Sequence, residues 1–404
     1  MDAYVARQPI FNRKKKIYAY ELLFRDSTAN FVPDIDGDLA TGQVLSNSVI
    51  NIGMEEIAGD SLSFINFTES LLLKRIPLLL PKEKIVVEIL EDVKPTPELL
   101  EACREISAKG YLIALDDFIY LPELRPLIEM ADIIKFDFRI STIAEITSYI
   151  RRLPNPGPKL LAEKIETNEE FAIALDLGFD FFQGYFFCRP EIIKGRQIET
   201  TQLSHLEIVA LLHQDAFEFA KLDELVSRDV GISYKLLRYI NSPFFARLNK
   251  ISTIKQALVY MGKDELQRFM SLIAISNLSS GKPHELINLA CIRGKFCELL
   301  AQLSQKRVKS SELFTVGIFS LLDAIMDQPM HEIISKIPLS ENIALALIQK
   351  KGLLAAFLIL VIAYEQGRWA LVKELADKLA IPEAAIPDLY LEACRWSNSV
   401  SPKN

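Results

Sequence analysis

The stretch YLIALDDFIY places two adjacent carboxylates at the end of a short apolar run. The four residues Leu112–Leu115 predict a strand that is buried on both faces, and Asp116 and Asp117 follow it directly. A buried carboxylate costs several kcal/mol of desolvation unless it is paired. The pair therefore predicts either a helix N-cap at Asp117 or a site that binds a cation.

The other predicted strands of the N-terminal half also end in side chains that bind metals or transfer protons. The strand IYAYELLFR has period two, which places Glu21 and Arg25 on one face. The remaining strand ends carry Asn66, Glu88, Lys135, Glu163 and Gln183. Each residue alone is explained by a cap, a satisfied turn or a solvated surface group. A shared site explains all of them together.

Several carboxylates in one pocket would repel each other, and divalent cations remove that repulsion. Oxygen ligands without His or Cys favour Mg²⁺ or Mn²⁺ over Zn²⁺. Two such ions roughly 3.5–4 Å apart are the usual arrangement for attack of water on a phosphodiester. At such a site Lys135 could orient or activate the water, and Arg25 could hold a phosphate oxygen.

The elements that must position these residues occupy the chain from Tyr4 to about Pro190. Short apolar runs alternate there with amphipathic segments such as TPELLEACREISAKG, in which Thr96 is a candidate N-cap and Gly110 lies just past the helix end. This alternation predicts βαβ units and a parallel sheet. Six units behind a hairpin at Asn12–Lys16 favour a closed (β/α) barrel. An open doubly wound sheet is the alternative.

The strand pattern stops after Pro190, and helix patterns fill the chain from Leu203 onward. In TIKQALVYMG the apolar residues recur at helical spacing, and Gly262 is a candidate C-cap. The segment Glu191–Ser204 is polar and predicts a linker. We therefore expect a barrel domain over residues 1–195 and an all-helical domain over residues 200–404.

Composition and charge argue against several classes of function. The 404-residue chain has a formal net charge of −7, which disfavours nonspecific binding to nucleic acid or to an acidic membrane. The N-terminal residues contain no apolar core of signal-peptide length, and the most apolar run, Leu353–Tyr364, is too short to span a bilayer. Five cysteines without metal-ligand spacing predict reduced thiols. We expect a cytoplasmic protein that contacts neither nucleic acid nor membrane.

The N-terminal half resembles the EAL family, the barrel phosphodiesterases of bacterial cyclic di-GMP signalling. The likeness covers roughly residues 4–190. The matching segments, in chain order, are RQPIFN, ELLFR, INFT, EILE, DDF, IKFD, AEKIE and QGYFFCRP. The resemblance implies a TIM-like barrel and metal-dependent hydrolysis of cyclic di-GMP to linear pGpG. A sugar- or phosphate-metabolic barrel is a weaker alternative, since the chain has no P-loop or dinucleotide fingerprint.

The resemblance also implies a role for each matching residue. One Mg²⁺ or Mn²⁺ ion is expected at Glu21, Asn66, Glu88 and Asp116, and the second at Asp116, Asp117 and Glu163. The expected catalytic residues are Lys135, Glu21, Glu166 and Gln183, with Lys135 and Gln183 acting on the water. The expected dinucleotide contacts are Gln8, Arg25, Tyr185 and Pro190.

Three departures from the family pattern lie close to these residues. Leu22 replaces the Ala of the signature, the segment after Asp117 lacks Gly-Thr-Gly, and EKIE lacks its Gly. In the family that loop is coupled to metal geometry and to dimerisation. Two hypotheses follow: a phosphodiesterase, or a receptor or scaffold that binds the dinucleotide without turnover. Both hypotheses allow the protein to form a homodimer.

The C-terminal half resembles the HDOD domain, an all-helical module often found behind such a barrel. The likeness centres on Val226–Gly262 and is carried by Asp229, Leu236, Leu237, Arg238, Asn241 and Ser242. The related HD hydrolases need an adjacent His-Asp pair, and HQD (His213–Asp215) is one residue away from one. We expect no catalysis here and a regulatory role through contact with a protein partner.

Overall fold

The computed structural model describes residues 4–25, 57–189, 251, 253–278, 282–337 and 339–400, together with nine single positions between 206 and 240. The chain divides into two compact units. The first comprises Met1–Arg189, Ala363–Lys373 and Ala384–Arg395, and the second comprises Pro190–Ile362, Glu374–Glu383 and Trp396–Asn404. The domain limits at 195 and 200 stay a prediction.

Eight strands close into a barrel in the first unit. The strands are β1 (Tyr4–Asn12), β2 (Ile17–Arg25), β3 (Leu62–Phe67), β4 (Ile85–Ile89), β5 (Leu112–Leu115), β6 (Ile133–Asp137), β7 (Lys159–Glu163) and β8 (Phe181–Gln183). Strand β1 is antiparallel to β2 and β8, and the other neighbours are parallel. The predicted closed barrel is confirmed, and the open sheet is wrong.

The predicted hairpin at the start of the barrel is also confirmed. The side chain of Asn12 accepts hydrogen bonds from the backbone N of Lys14 at 2.9 Å and of Lys16 at 3.2 Å. Lys15 has a φ of 54°, the left-handed conformation that a tight turn requires. Asn12 therefore replaces sheet hydrogen bonds at the turn, and β2 returns alongside β1.

One apolar side chain from each strand fills the barrel interior. These eight residues are Ile10, Ala19, Phe64, Val86, Ala114, Ile133, Leu161 and Phe181. Each is at most 5% exposed. Small and large side chains share the layer, so that the interior is packed rather than open. This apolar layer closes the bottom of the pocket that contains the site residues.

Helices follow the strands over α1 (Glu69–Leu73), α2 (Pro97–Ala108), α3 (Arg125–Ile128), α4 (Ile143–Ile150) and α5 (Asn168–Asp176). Threonine N-caps begin four of them: Thr68, Thr96, Thr142 and Thr167 each accept a hydrogen bond from a backbone N–H of the first turn. An N-cap of this kind stabilises a helix by about 1 kcal/mol. The caps fix where each loop above the barrel ends.

The rest of the described chain is helical, which confirms the all-helical prediction for the C-terminal half. The helices are α6 (Ile254–Leu278), α7 (His284–Leu303), α8 (Ser310–Phe319), α9 (Leu322–Met326), α10 (Met330–Ile334), α11 (Glu341–Gln349), α12 (Leu353–Glu365), α13 (Trp369–Leu379) and α14 (Ile386–Val400). Gly262, the predicted C-cap, has φ 70° and ψ 174° and breaks α6 into two helical segments.

No single helix among the described residues is long and apolar enough to cross a membrane. Helices α11 and α12 taken together have the length and composition of a membrane span, although a bend of 41° separates them.

Candidate active site

Eight polar side chains stand one step above the apolar layer, and we call them the polar ring. Each lies two positions along its strand from a layer residue, toward the same end of the barrel. The polar ring consists of Gln8, Glu21, Asn66, Glu88, Asp116, Lys135, Glu163 and Gln183. Because side chains in a strand alternate with period two, residues two apart share a face. Every member therefore belongs to the inner face, at the carboxyl ends of the parallel strands.

Strand register brings members of the ring side by side. Asn66 of β3 pairs with Glu88 of β4, and Gln8 of β1 pairs with Glu21 of β2. Beyond the end of β5, the backbone N of Asp116 donates to the carbonyl O of Ile89 at 2.9 Å. The residues that the sequence scatters between positions 8 and 183 thus converge in one pocket.

Lys135 lies at the centre of the ring and contacts four carboxylates. Its Nζ atom is 2.8 Å from Oδ1 of Asp116, 2.8 Å from Oε1 of Glu163 and 3.7 Å from Oε2 of Glu21. It also forms an ion pair with Glu88. The Lys135 side chain is 1% exposed, so the predicted alternative of a snorkelling surface lysine is wrong.

The amides of the ring are oriented by Glu21. The Nε2 atom of Gln183 donates to Oε2 of Glu21 at 2.5 Å and to Oε1 of Gln8 at 3.0 Å. The Nδ2 atom of Asn66 donates to Oε1 of Glu21 at 3.4 Å. The side-chain nitrogens of Gln183 and Asn66 both donate to Glu21. The side-chain oxygens of these two residues therefore remain available to a ligand.

Burial and the close approach of the ring residues shift the pKa values of several of them. Burial raises the pKa of Glu88 and of Glu163 well above its ordinary value, and Lys135 offsets only part of this effect. Burial alone would lower the pKa of Lys135, but Asp116, Glu163, Glu21 and Glu88 raise it well above its ordinary value. Lys135 is therefore an ammonium ion, and Glu88 and Glu163 beside it bind protons more readily than solvated carboxyl groups do.

The ring fits a divalent cation by its unsatisfied oxygen atoms. Buried Oδ1 of Asn66, Oε2 of Glu88, Oε2 of Glu163 and Oε1 of Gln183 have no hydrogen-bond partner in the described part of the chain. A buried polar atom without a partner costs about 1–3 kcal/mol. In addition, Asp116, Asp117 and Glu163 can place one oxygen each within 4.8 Å of one another. Carboxylate and amide oxygens are the ligands of hard cations such as Mg²⁺ and Mn²⁺.

Asp117 does not cap a helix, so the structure excludes that prediction. Its backbone is left-handed, with φ 38°. The backbone N of Phe118 donates to the carbonyl O of Lys135 at 3.0 Å, and the next helical turn begins only at Pro122. Burial, followed by the charge of Asp116, raises the pKa of the Asp117 carboxyl to about 6. One oxygen of this side chain lies within 4.8 Å of oxygens of Asp116 and Glu163.

A cavity of about 690 Å³ opens above the polar ring. Gln8, Tyr185 and Glu166, which sequence analysis predicts for substrate binding and catalysis, lie in its wall. The wall is acidic: Glu91, Asp92, Asp117 and Glu166 add to the ring carboxylates, against Arg139 and Lys164. The side chain of Arg25 and the residue Pro190 lie outside the described part of the structure.

Sequence analysis missed the two basic residues of the wall. Lys164 follows Glu163 and its Nζ atom forms an ion pair with Asp137. Arg139 follows β6 and pairs with Glu170. Each lies one or two residues past a strand end, where a lysine or arginine is usually a surface group. The signal that could have found Lys164 is its position, which is Gly in the EAL pattern.

Among the described residues of the helical half, no three His, Cys, Asp or Glu side chains lie close enough together to hold a metal ion. His284 and His331 are described, whereas His205 and His213 lie outside the described positions. What the helical half does contain is a buried ion network. Glu298 is 1% exposed, pairs with Arg268 and lies 2.9 Å from Nζ of Lys295.

The structure is a closed barrel with an acidic pocket at the carboxyl ends of its strands, and the oxygen atoms of this pocket fit a divalent cation. Residues 38–190 match the EAL domain family, and residues 200–337 match the HDOD domain family. A curated relative from Vibrio cholerae, named cyclic di-GMP phosphodiesterase CdgJ, is 38% identical over 98% of this chain and 93% of that protein. The chain therefore belongs to the family of proteins in which an EAL domain precedes an HDOD domain.

The chain is also similar to a second curated protein and, more distantly, to a solved structure. The uncharacterized protein YuxH of Bacillus subtilis is 36% identical over 99% of both chains. Among solved structures, the manganese and cyclic di-GMP complex of BlrP1 from Klebsiella pneumoniae is 20% identical, with a TM-score of 0.36. That match covers 46% of this chain and 55% of the other.

Proposed function

We propose that the barrel hydrolyses cyclic di-GMP to linear pGpG in a reaction that depends on divalent cations, and that the HDOD half regulates it. The observation that carries this proposal is the polar ring, which gathers five ligand residues of the EAL pattern, four carboxylates and one amide, around Lys135. The relative named as a cyclic di-GMP phosphodiesterase supports the choice of substrate, because it matches nearly the whole chain.

Mg²⁺ or Mn²⁺ is the cofactor that we propose, because every ring ligand is an oxygen atom. The proposed ligands are Glu21, Asn66, Glu88 and Asp116 for one ion, and Asp116, Asp117 and Glu163 for the other. Bound there, the ions would polarise a phosphodiester and lower the pKa of a water molecule.

Hydrolysis adds the oxygen of one water to a phosphorus and breaks the bond from that phosphorus to a ribose O3′, which takes a proton. Lys135 is held in its ammonium form by the ring carboxylates. We assign it to orient or activate the water, because its Nζ atom lies 2.8 Å from Asp116 and from Glu163, beside the proposed cation positions. Gln183 shares this task, because its amide is fixed by Glu21 and Gln8.

Glu166 is the remaining residue of the proposed catalytic set, and it lies at the rim of the cavity. Its Oε2 atom is 4.0 Å from Nη2 of Arg189, the residue before Pro190. We propose that Glu166 positions the segment Tyr185–Pro190 against the substrate. Gln8, Arg25, Tyr185 and Pro190 complete the proposed dinucleotide contacts, with the ring of Tyr185 as a flat surface for a guanine.

The test is a product assay on the purified full-length chain. After removal of metal with EDTA, we expect cyclic di-GMP to be converted to pGpG when Mn²⁺ or Mg²⁺ is restored, and not before. Glu21→Gln and Asp116→Asn should each lower the rate by at least roughly 100-fold. Glu105→Gln, at a surface ion pair with Arg75, is the matched control and should keep the rate. Binding of cyclic di-GMP without product under either metal would contradict the proposal.

For the helical half we propose contact with a protein partner and no chemistry of its own. Val259 and Tyr260 support this, since they are 65% and 57% exposed on α6. Crosslinking of the full-length chain in cells should capture a partner, and Val259→Asp with Tyr260→Asp should lose it. Asp116→Asn should retain that partner. If the α6 variant captures the same proteins as the wild type, the assignment of this surface fails.

We also propose a cytoplasmic homodimer. The five cysteines form no disulfide with one another, which suits a reducing compartment. The loops after β5 and β6 expose Ile119, Leu121 and Ile140 by 45%, 45% and 55%. Because β5 and β6 are parallel neighbours, these side chains lie along one edge of the barrel. Sedimentation should give a dimer mass for the wild type and a monomer mass for Leu121→Asp with Ile140→Asp; a wild-type monomer would contradict the proposal.

A further inference from the structure

Lys164 brings a second ammonium group to the cation-binding pocket. Its Nζ atom forms an ion pair with Oδ2 of Asp137 and lies 3.9 Å from Oδ1 of Asp117. Asp117 is one of the three carboxylates, with Asp116 and Glu163, whose oxygens lie within 4.8 Å of one another. A positive charge is thus already present beside the group where a second divalent cation would bind.

The position of this charge is fixed by its neighbours. The Asp137 side chain is 2% exposed. Its Oδ1 atom accepts hydrogen bonds from the backbone N of Arg139 at 2.5 Å and of Ile140 at 3.3 Å. An anchored carboxylate therefore holds the lysine. The Lys164 side chain remains 53% exposed, so that its charge is partly screened by solvent but not removed.

The backbone at this residue is unusual for a lysine. Lys164 has a φ of 55°, a left-handed conformation that favours glycine and asparagine. The EAL pattern has Gly here, in A-E-G-V-E, where this chain has AEKIE. The chain accepts backbone strain at a position where glycine would be free of it, and the side chain gained by this substitution points its charge at Asp137 and Asp117.

We propose that Lys164 lowers the affinity of the second cation position, acting as a built-in positive charge that competes with a divalent ion at Asp117. This inference rests on the proposed two-cation site and concerns how that site is filled. Lys135 lies beside both positions, because its Nζ atom contacts Glu21 and Glu88 as well as Asp116 and Glu163. Lys164 contacts Asp117, a ligand of the second position alone. Occupancy of the second position, and with it turnover, then depends on the free divalent-ion concentration.

The experiment measures Mn²⁺ binding to the metal-stripped full-length chain by the electron paramagnetic resonance signal of free Mn²⁺. This signal gives the stoichiometry and both stepwise dissociation constants without any turnover. Lys164→Gly and Lys164→Asn remove the charge and suit the left-handed backbone, whereas Lys164→Arg keeps the charge. Asp117→Asn identifies the second step, which it should abolish while the first is retained.

We expect Lys164→Gly and Lys164→Asn to bind the second Mn²⁺ about three- to tenfold more tightly, with the first constant unchanged. Lys164→Arg should stay within about twofold of the wild type. Salt at about 0.5 M should narrow the difference between wild type and Lys164→Gly. An unchanged second constant in both neutral variants, or equal tightening in Lys164→Arg, would overturn the inference, as would the absence of a second bound ion in the wild type and in both neutral variants alike.

The inference and the proposed function fail separately, because binding is measured apart from product. A wild-type chain that makes no pGpG but shows the charge-dependent second constant supports the inference and contradicts the function. A chain that makes pGpG while all Lys164 variants bind Mn²⁺ alike supports the function and overturns the inference.

Discussion

The Nζ atom of Lys135 lies 2.8 Å from Oε1 of Glu163, inside a barrel whose interior is otherwise apolar at the level below. Three further carboxylates surround the same ammonium group. Lys135 is therefore the counter-charge on which the ring depends whenever no divalent cation is bound, and the folded state and the metal site are coupled through this one side chain.

We expect Lys135→Met to lower the thermal midpoint of the metal-free protein by about 5–10 °C, because it leaves buried carboxylates without a counter-charge. Mn²⁺ should raise the thermal midpoint of Lys135→Met by more degrees than it raises that of the wild type. Calorimetry in EDTA and in Mn²⁺ measures both effects. Lys84→Met is the control, since Lys84 pairs with the fully exposed Asp60; it should change the midpoint little. Equal shifts for the two variants would argue against a special role for Lys135.

Gly184 permits the close approach of the segment after β8 to the loop after β7. It has φ +138°, and a Cβ atom there would overlap the carbonyl O of Ile165 and lie 2.8 Å from its carbonyl carbon. Gly184→Ala must therefore displace Gln183, and we expect it to cost more than about 3 kcal/mol or to prevent folding. Gly178→Ala, at φ +92° with open space around it, should cost only about 1 kcal/mol. Comparable thermal midpoints would contradict this packing.

The buried Glu298 of the helical half provides a test of that unit alone. Its side chain is 1% exposed, and Arg268 supplies one of its two charge partners. Arg268→Met should lower the free energy of unfolding by about 2–3 kcal/mol, because Lys295 alone cannot satisfy both carboxylate oxygens. Arg125→Met removes an exposed pair with Glu129 and should cost less than about 1 kcal/mol. Urea unfolding of both variants measures these losses. Equal losses in the free energy of unfolding for Arg268→Met and Arg125→Met would contradict the prediction.

The cysteines should differ sharply in reactivity. Burial raises the pKa of the Cys103 thiol to about 11 and of the Cys291 thiol to about 12. Since the thiolate is the reactive form, at pH 8 only about one Cys103 in a thousand is reactive. Cys188 is the one cysteine that is not fully buried. With a disulfide reagent we expect one fast thiol in the native protein, absent in Cys188→Ser, and five after unfolding. Several fast thiols at pH 8 would contradict the burial.

Much of the site could be predicted because strand geometry is simple. Glu88 and Lys135 each stand two residues after an interior apolar residue, so period two alone places both on the inner face. A barrel then brings all strand ends together, whatever their separation in sequence. The strands are neighbours in the barrel in the same order as in the chain, from β1 to β8. The order of the site residues around the barrel can therefore be predicted from the sequence.

Other features depend on three-dimensional contacts that no spacing encodes. The sequence favours Asp117 as a helix cap when it is considered alone, yet the hydrogen bond from Phe118 to Lys135 turns the chain into a left-handed conformation instead. Lys164 looks like an ordinary exposed lysine after a strand. Only the neighbouring strand, which carries Asp137 beside Glu163, reveals what its ammonium group contacts.

The proposed function requires the polar ring to hold divalent ions. Anomalous diffraction at the manganese edge, on crystals of the full-length chain soaked in Mn²⁺, tests it most directly. We predict two manganese peaks that share Asp116 as a ligand, one beside Glu21, Asn66 and Glu88 and the other beside Asp117 and Glu163. Crystals that show no manganese within bonding distance of Asp116 at millimolar Mn²⁺ would contradict it.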